Sequence, residues 1–166
     1  MKWESAMDPV LILDHELVTE SGSNALSDEA GHFIALPDTS RQKDIEYVRR
    51  MMETAQGKMG IMIKTLDQLE MAAEMELKGP VIADSSLYAY NRESFLFYDE
   101  AVPGMMFVCA DELSDPELAE MVKTNVRKRD DGSADLCGRM IYKVYGHQAL
   151  MITEQCIGKN HGRCGT

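Results

Sequence analysis

Four side chains able to ligate a soft metal gather in the last part of the sequence: Cys137, Cys156, His161 and Cys164. A strand-like run delivers Cys156 to its tip, and Cys164 follows after a short polar loop that contains Gly158, His161 and Gly162. Such a loop brings two thiols together, and thiolates suit Zn²⁺ or an iron-sulfur cluster. Because a metal or cluster normally takes three or four protein ligands, Cys137, at the head of the preceding strand, and His161 are the candidates to complete the set, unless further ligands lie on sequence beyond this chain. Cys-x7-Cys is not a zinc-finger spacing, so Zn²⁺, an iron-sulfur cluster and two reduced thiols without metal all stay open. Cys109 sits in an apolar run and reads as a small core residue.

A second set of groups suits acid-base work: Asp84, Asn91, Glu112 and His147. Asp84, Glu112 and the Tyr145-to-His147 corner fall at the ends of expected strands, where α/β proteins collect functional groups. A carboxylate there can act as a base, bind an ammonium or hold a metal. Each also has a structural reading. Asp84 before two serines and Asn91 before Arg92 suit helix caps, Glu112 suits a surface charge before the Ser114 cap, and His147, the best acid-base candidate by type, suits a hydrogen-bonded strand end.

The elements that must position these groups alternate apolar runs with helical patterns, the sign of βα units and a parallel sheet. Strands are expected at Val10 to Leu13, His32 to Leu36, Ile61 to Ile63, Pro80 to Ala83, Met105 to Cys109 and Gly138 to Gly146, with a last strand-like run from Ala149 to Thr153. Ile45, Val48, Met51, Met52 and Ala55 form the apolar face of a helix that begins near Asp44. Thr65 and Gln68 have capping-box spacing, followed by Leu66, Leu69, Ala73 and Leu77 on one face until Gly79 and Pro80. A short helix is expected from Glu93 to Tyr98, and another after the Ser114/Glu117 capping box, with Pro116 in its first turn, to about Lys123. Residues 19–30 read as a flexible loop and 126–136 as a charged one. The fold class is α/β: a partial (β/α) barrel-like domain with mainly parallel strands. A full barrel takes ~250 residues, so the 166 residues are expected to form a single domain that is either a fragment of a larger barrel or closes a smaller sheet.

Composition narrows the partners. Twenty-eight acidic against seventeen basic residues give a formal charge of −11, which repels phosphate backbones and anionic lipid at long range. Arg127-Lys128-Arg129 is followed at once by Asp130 and Asp131, which marks a solvated loop rather than a phosphate site. No apolar run approaches the eighteen or so residues of a membrane span, and no secretory leader is evident at Met1 to Ser5, so a cytoplasmic location is expected. The 13 methionines fall mostly in expected helices and strands, where thioethers fill core gaps. Gly-x-Ser-x-Gly, His-Glu-x-x-His and phosphate-binding glycine loops are missing from the sequence.

Three motifs carry a family resemblance. Tyr145-Gly146, Leu150-Met151 and Cys156 resemble the signature near the end of the catalytic-type domain in the collagenase-like peptidases of unassigned mechanism, peptidase family U thirty-two. Asp84-Ser85-Ser86-Leu87-Tyr88-Ala89-Tyr90-Asn91 is similar to that family's Asp…Leu…Asn segment, and Asp111-Glu112-Leu113 to its Glu-Leu motif after the next strand. The motifs stand in the family's order and span about Gly60 to Cys164. The resemblance implies a barrel-type domain that hydrolyses a peptide or protein substrate, with Asp84, Asn91 and Glu112 at its mouth. It also implies a rival. Some relatives hold an iron-sulfur cluster through cysteines and hydroxylate RNA bases or ubiquinone precursors, so an iron-sulfur-dependent hydroxylase or hydroxylation factor acting on RNA or a small aromatic acceptor is the alternative. A third expectation is a noncatalytic packing domain that self-associates through open sheet edges.

Overall fold

The computed structural model of the chain describes residues 11–14, 32–39, 41–126, 137–143 and 161–162. Among them run six strands, β1 (Leu11–Asp14), β2 (His32–Ala35), β3 (Gly60–Ile63), β4 (Val81–Ala83), β5 (Met106–Val108) and β6 (Met140–Ile141). Four helices accompany them: α1 (Ile45–Ala55), α2 (Leu66–Glu74), α3 (Arg92–Ala101) and α4 (Asp115–Val126). Every neighbouring pair of strands is parallel. The strand order in the sheet is the order in the chain, with β1 at one edge and β6 at the other. The fold is α/β with an open, all-parallel sheet, so it is barrel-like and not a closed barrel. No helix among the described residues is long and apolar enough to cross a membrane.

Side-chain alternation explains how the sheet takes its two faces. Ile34, Ile61, Ile63, Val81, Ala83 and Phe107 share one apolar cluster with buried residues of all four helices, among them Val48, Met52, Leu69, Phe95 and Met121. The alternate positions, Phe33, Ala35, Met62, Ile82 and Val108, form a second cluster that contains no helix residue. All helices therefore lie on one side of the sheet, as on the outside of a barrel. Gly60 stands directly beside Phe33 in the ladder, and a Cβ on Gly60 would fall 2.2 Å from the Phe33 ring. The absence of a side chain at Gly60 is what gives that ring its place.

The helices start and stop where local chemistry dictates. In α1 the expected apolar face is the buried one, with Val48, Met51, Met52 and Ala55 inside; Gly57, at φ +78°, takes the chain out of it. The face expected for α2 needs correction: Leu66 is 60% exposed while Gln68 is fully buried. Position 66 is the first residue of the helix. Gln68 is drawn inside by two backbone partners, because its Oε1 accepts from Lys64 N at 2.8 Å and its Nε2 donates to the Pro37 carbonyl at 2.8 Å. Thr65 caps the helix as expected, accepting from Gln68 N at 3.3 Å, yet Gln68 reaches back to Lys64 rather than to the cap residue. The α3 helix runs longer than its sequence pattern announced, and α4 extends to Val126. Ser114 N donates to Glu117 Oε2 at 2.9 Å, the return half of the expected capping box. Of the longer strand expected over Gly138 to Gly146, Met140–Ile141 is seen; residues 144–146, the run from Ala149 to Thr153 and the loop at 19–30 lie outside the described residues, as does the charged loop beyond Val126.

Candidate active site at the carboxyl edge of the sheet

A continuous polar seam runs along the carboxyl ends of β2 to β6. Its first half joins the exits of β2, β3 and β4. Besides the two Gln68 bonds, Lys64 Nζ pairs with Asp38 Oδ1 at 2.7 Å, and Ser86 Oγ donates to the Lys64 carbonyl at 2.9 Å. The bonds to Lys64 N and to the Lys64 and Pro37 carbonyls satisfy backbone groups beyond strand ends whose ladder has run out.

The second half joins β4, β5 and β6 through three side chains. Ser85 Oγ donates to Asp111 Oδ2 at 3.1 Å, Lys143 Nζ donates to Ser85 Oγ at 3.0 Å, and the same ammonium meets Asp111 Oδ2 at 2.7 Å. Ser85 follows β4, Asp111 follows β5 and Lys143 follows β6, so three successive strand exits each send one group to a common point. Ser85 is buried, 9% exposed, whereas the side chains of Asp111 and Lys143 are 23% and 45% exposed. Solvent or a ligand meets the ion pair, with the hydroxyl behind it.

The turn that holds Ser85 is built by its neighbours. Asp84 accepts from Ser86 N at 3.3 Å and so caps a 3-10 turn, Ser85–Leu87. Leu87 is buried, and its carbonyl accepts from the Tyr98 hydroxyl of α3 at 2.6 Å, a bond whose burial pushes the tyrosine pKa up. Tyr88 then leaves the turn in the left-handed region, at φ +53°, a strained conformation for an aromatic residue.

The expected site residues divide accordingly. Asp84 is half-buried and serves as the cap of the Ser85 turn. Asn91 caps α3, its Oδ1 accepting from both Ser94 N and Ser94 Oγ at 2.9 Å. Glu112 is exposed and lies near Tyr90, whose pKa is raised by partial burial first and then by this carboxylate. The structure thus assembles Ser85 and Asp111, the immediate neighbours of Asp84 and Glu112, with Lys143. Asp84 and Glu112 are thus chain neighbours of two of the three groups that meet. Lys143 is not among the expected residues; its signal is a lysine just beyond an apolar strand, which Lys64 shows as well.

Of the expected metal set, Cys137 and His161 fall among the described residues. Cys137 opens the 3-10 turn Cys137–Arg139 that enters β6, so its backbone lies at the amino edge of a parallel sheet, opposite Lys143. At that edge Arg139 pairs with Asp99 of α3 and donates to the Met105 carbonyl at 3.3 Å. Asp99 is held below the usual carboxylate range, by the bond from Arg139 first and by Gly104 N as well, against a smaller opposing effect of burial. His161 is exposed in a turn with Gly162. Cys156, Cys164 and His147 lie outside the described residues. Among the described residues no group of three or more His, Cys, Asp or Glu side chains could hold a metal ion.

No protein-family model, curated protein or solved structure matches this chain significantly.

Proposed function

We propose that this chain is a barrel-type hydrolase that cleaves peptide bonds at the carboxyl edge of its sheet, in keeping with its resemblance to the collagenase-like peptidases. The observation that carries the reading is the meeting of Ser85, Asp111 and Lys143 from three successive strand exits, the position where α/β proteins place their chemistry. In this reading Asp111 is the general base. It takes a proton from water as the oxygen attacks the carbonyl carbon, and the Lys143 ammonium stabilises the oxyanion that forms. Collapse breaks the C–N bond, and the proton held by Asp111 passes to the departing amine. Ser85 is a positioning residue, since it is buried and bonded to both partners. Asp84 and Asn91 act through the backbone they cap. His147 remains a second candidate for the proton transfers, and Glu112 flanks the site.

Cleavage of an unstructured protein substrate, followed by mass spectrometry, tests this. Asp111→Asn and Lys143→Met should each lower the rate by about 100-fold or more, the usual worth of a positioned acid-base group or an oxyanion partner. Ser85→Ala should lower it less and displace the pH profile, and Ser85→Thr, which keeps the hydroxyl, should restore both. Unchanged cleavage in Asp111→Asn would reject the assignment. Protein that cleaves nothing and carries iron and acid-labile sulfide in near-equal amounts would point to the hydroxylase alternative, with Cys156 and Cys164 as its first ligand candidates.

A further inference from the structure

Beside the three-residue cluster, a second link joins the same two loops and has a different chemistry. Ser85 meets Asp111, and a little further along each loop Tyr90 lies near enough to Glu112 for the carboxylate to raise the tyrosine pKa, after the larger effect of burial. Tyr90 stacks on Tyr88, with ring centroids 5.8 Å apart and planes 14° from parallel. Both rings are exposed, 57% for Tyr88 and 39% for Tyr90, so the stack presents an aromatic face to solvent instead of filling the core. The left-handed backbone at Tyr88 costs of order 1 kcal/mol or more, and the ring it displays is not buried in return. Tyr90 also forms one wall of an open cavity of about 550 Å³. Leu113 and Met121 give that cavity an apolar floor, while Glu93, Glu117 and Glu120 line its rim against a single cation, Arg92. Glu117 is kept ionised by the bonds from the Ser114 hydroxyl and backbone, which lower its pKa.

We infer that the Tyr88–Tyr90 stack, Glu112 and the adjoining cavity form a subsite for an arginine or lysine side chain of a peptide, next to the Ser85–Asp111–Lys143 cluster. A guanidinium or ammonium gains from the face of an exposed tyrosine and from a carboxylate within reach, while its aliphatic stem suits an apolar floor. The formal charge of −11 acts in the same sense, drawing basic peptides toward the surface and repelling acidic ones. The placement beside the cluster rests on the hydrolase reading; the recognition of a basic side chain does not.

Isothermal titration with three blocked pentapeptides, alike except for Arg, Ala or Glu at the central position, separates the two. The arginine peptide should bind about tenfold or more tightly than the alanine peptide, as expected for one cation–π contact with one charge-assisted bond, and the glutamate peptide more weakly still. Glu112→Gln and, separately, Tyr88→Gly, which keeps the left-handed backbone accessible, should each remove most of that preference while the melting temperature stays within a few degrees. Equal binding of the arginine and alanine peptides overturns the subsite, even if the protein cleaves them. An arginine preference that survives in both variants also overturns it. An arginine preference lost in the variants, in a protein that cleaves no peptide, upholds the subsite and rejects the hydrolase reading alone.

Discussion

At the scale of single residues, the fold turns on atoms present or withheld at a few positions. Gly60 is the sharpest case, because a Cβ there would overlap the Phe33 ring at 2.2 Å and a flat aromatic ring wedged in a sheet has little room to yield. Gly60→Ala should destabilise by about 1–3 kcal/mol, the usual effect of overpacking, as read from urea denaturation, and Phe33→Leu in the same chain should recover part of the loss. Gln68 shows the limit of reading residues from a pattern. Its spacing from Thr65 announced a capping box, and the threonine half was legible. The glutamine amide instead enters the interior and bonds backbone groups of two loops, one of them 31 positions away in sequence. No local spacing rule contains that partner. The same holds for Ser85, Asp111 and Lys143, whose meeting depends on the register of β4, β5 and β6.

At the scale of elements, strands and helices were the most legible part of the sequence, since alternation and the 3.6-residue period are local signals. Ile45 through Ala55 announced α1 and its buried face, and the apolar triplets announced β3, β4 and β5. What the patterns left out is which helix supports which loop. The α3 helix proves to be the buttress of the site turn, because its Tyr98 hydroxyl holds the Leu87 carbonyl at 2.6 Å in a buried position. Tyr98→Phe leaves that carbonyl unpaired and should cost about 1–2 kcal/mol, measured by chemical denaturation. Under the proposed hydrolase function the variant should lose peptide cleavage in parallel, since Ser85 lies in the turn that the bond secures; full cleavage with reduced stability would separate the turn from the proposed chemistry.

At the scale of the whole molecule, the two edges of the sheet carry different electrostatics. The carboxyl edge holds the Lys143–Asp111 pair, which is open to solvent, and the amino edge holds the more enclosed pair of Asp99 and Arg139. Asp99 has its pKa lowered in the folded protein. A lowered carboxylate pKa stabilises the fold fully above the unfolded value, about 3.9 for aspartate, and that stabilisation is lost as pH falls below it toward the folded value. Denaturation midpoints measured between pH 7 and pH 2.5 should fall through this window, and Asp99→Asn should be less stable at pH 7 by about 2 kcal/mol, as befits a partly exposed ion pair losing one member, with a shallower acid-dependent decline. An equally steep decline in that variant would place the acid sensitivity elsewhere.

The order of the strands has a consequence of another kind. Each described strand pairs with the strand before it in the chain, so every new βα unit finds its docking edge already complete when it emerges from synthesis. Assembly can then proceed strand by strand, with none waiting for a later one to be made, and the Ser85–Asp111–Lys143 cluster, drawn from the last three described strands, forms only after β6 has emerged. The early strands of a nascent chain of this design can pack together before that cluster exists.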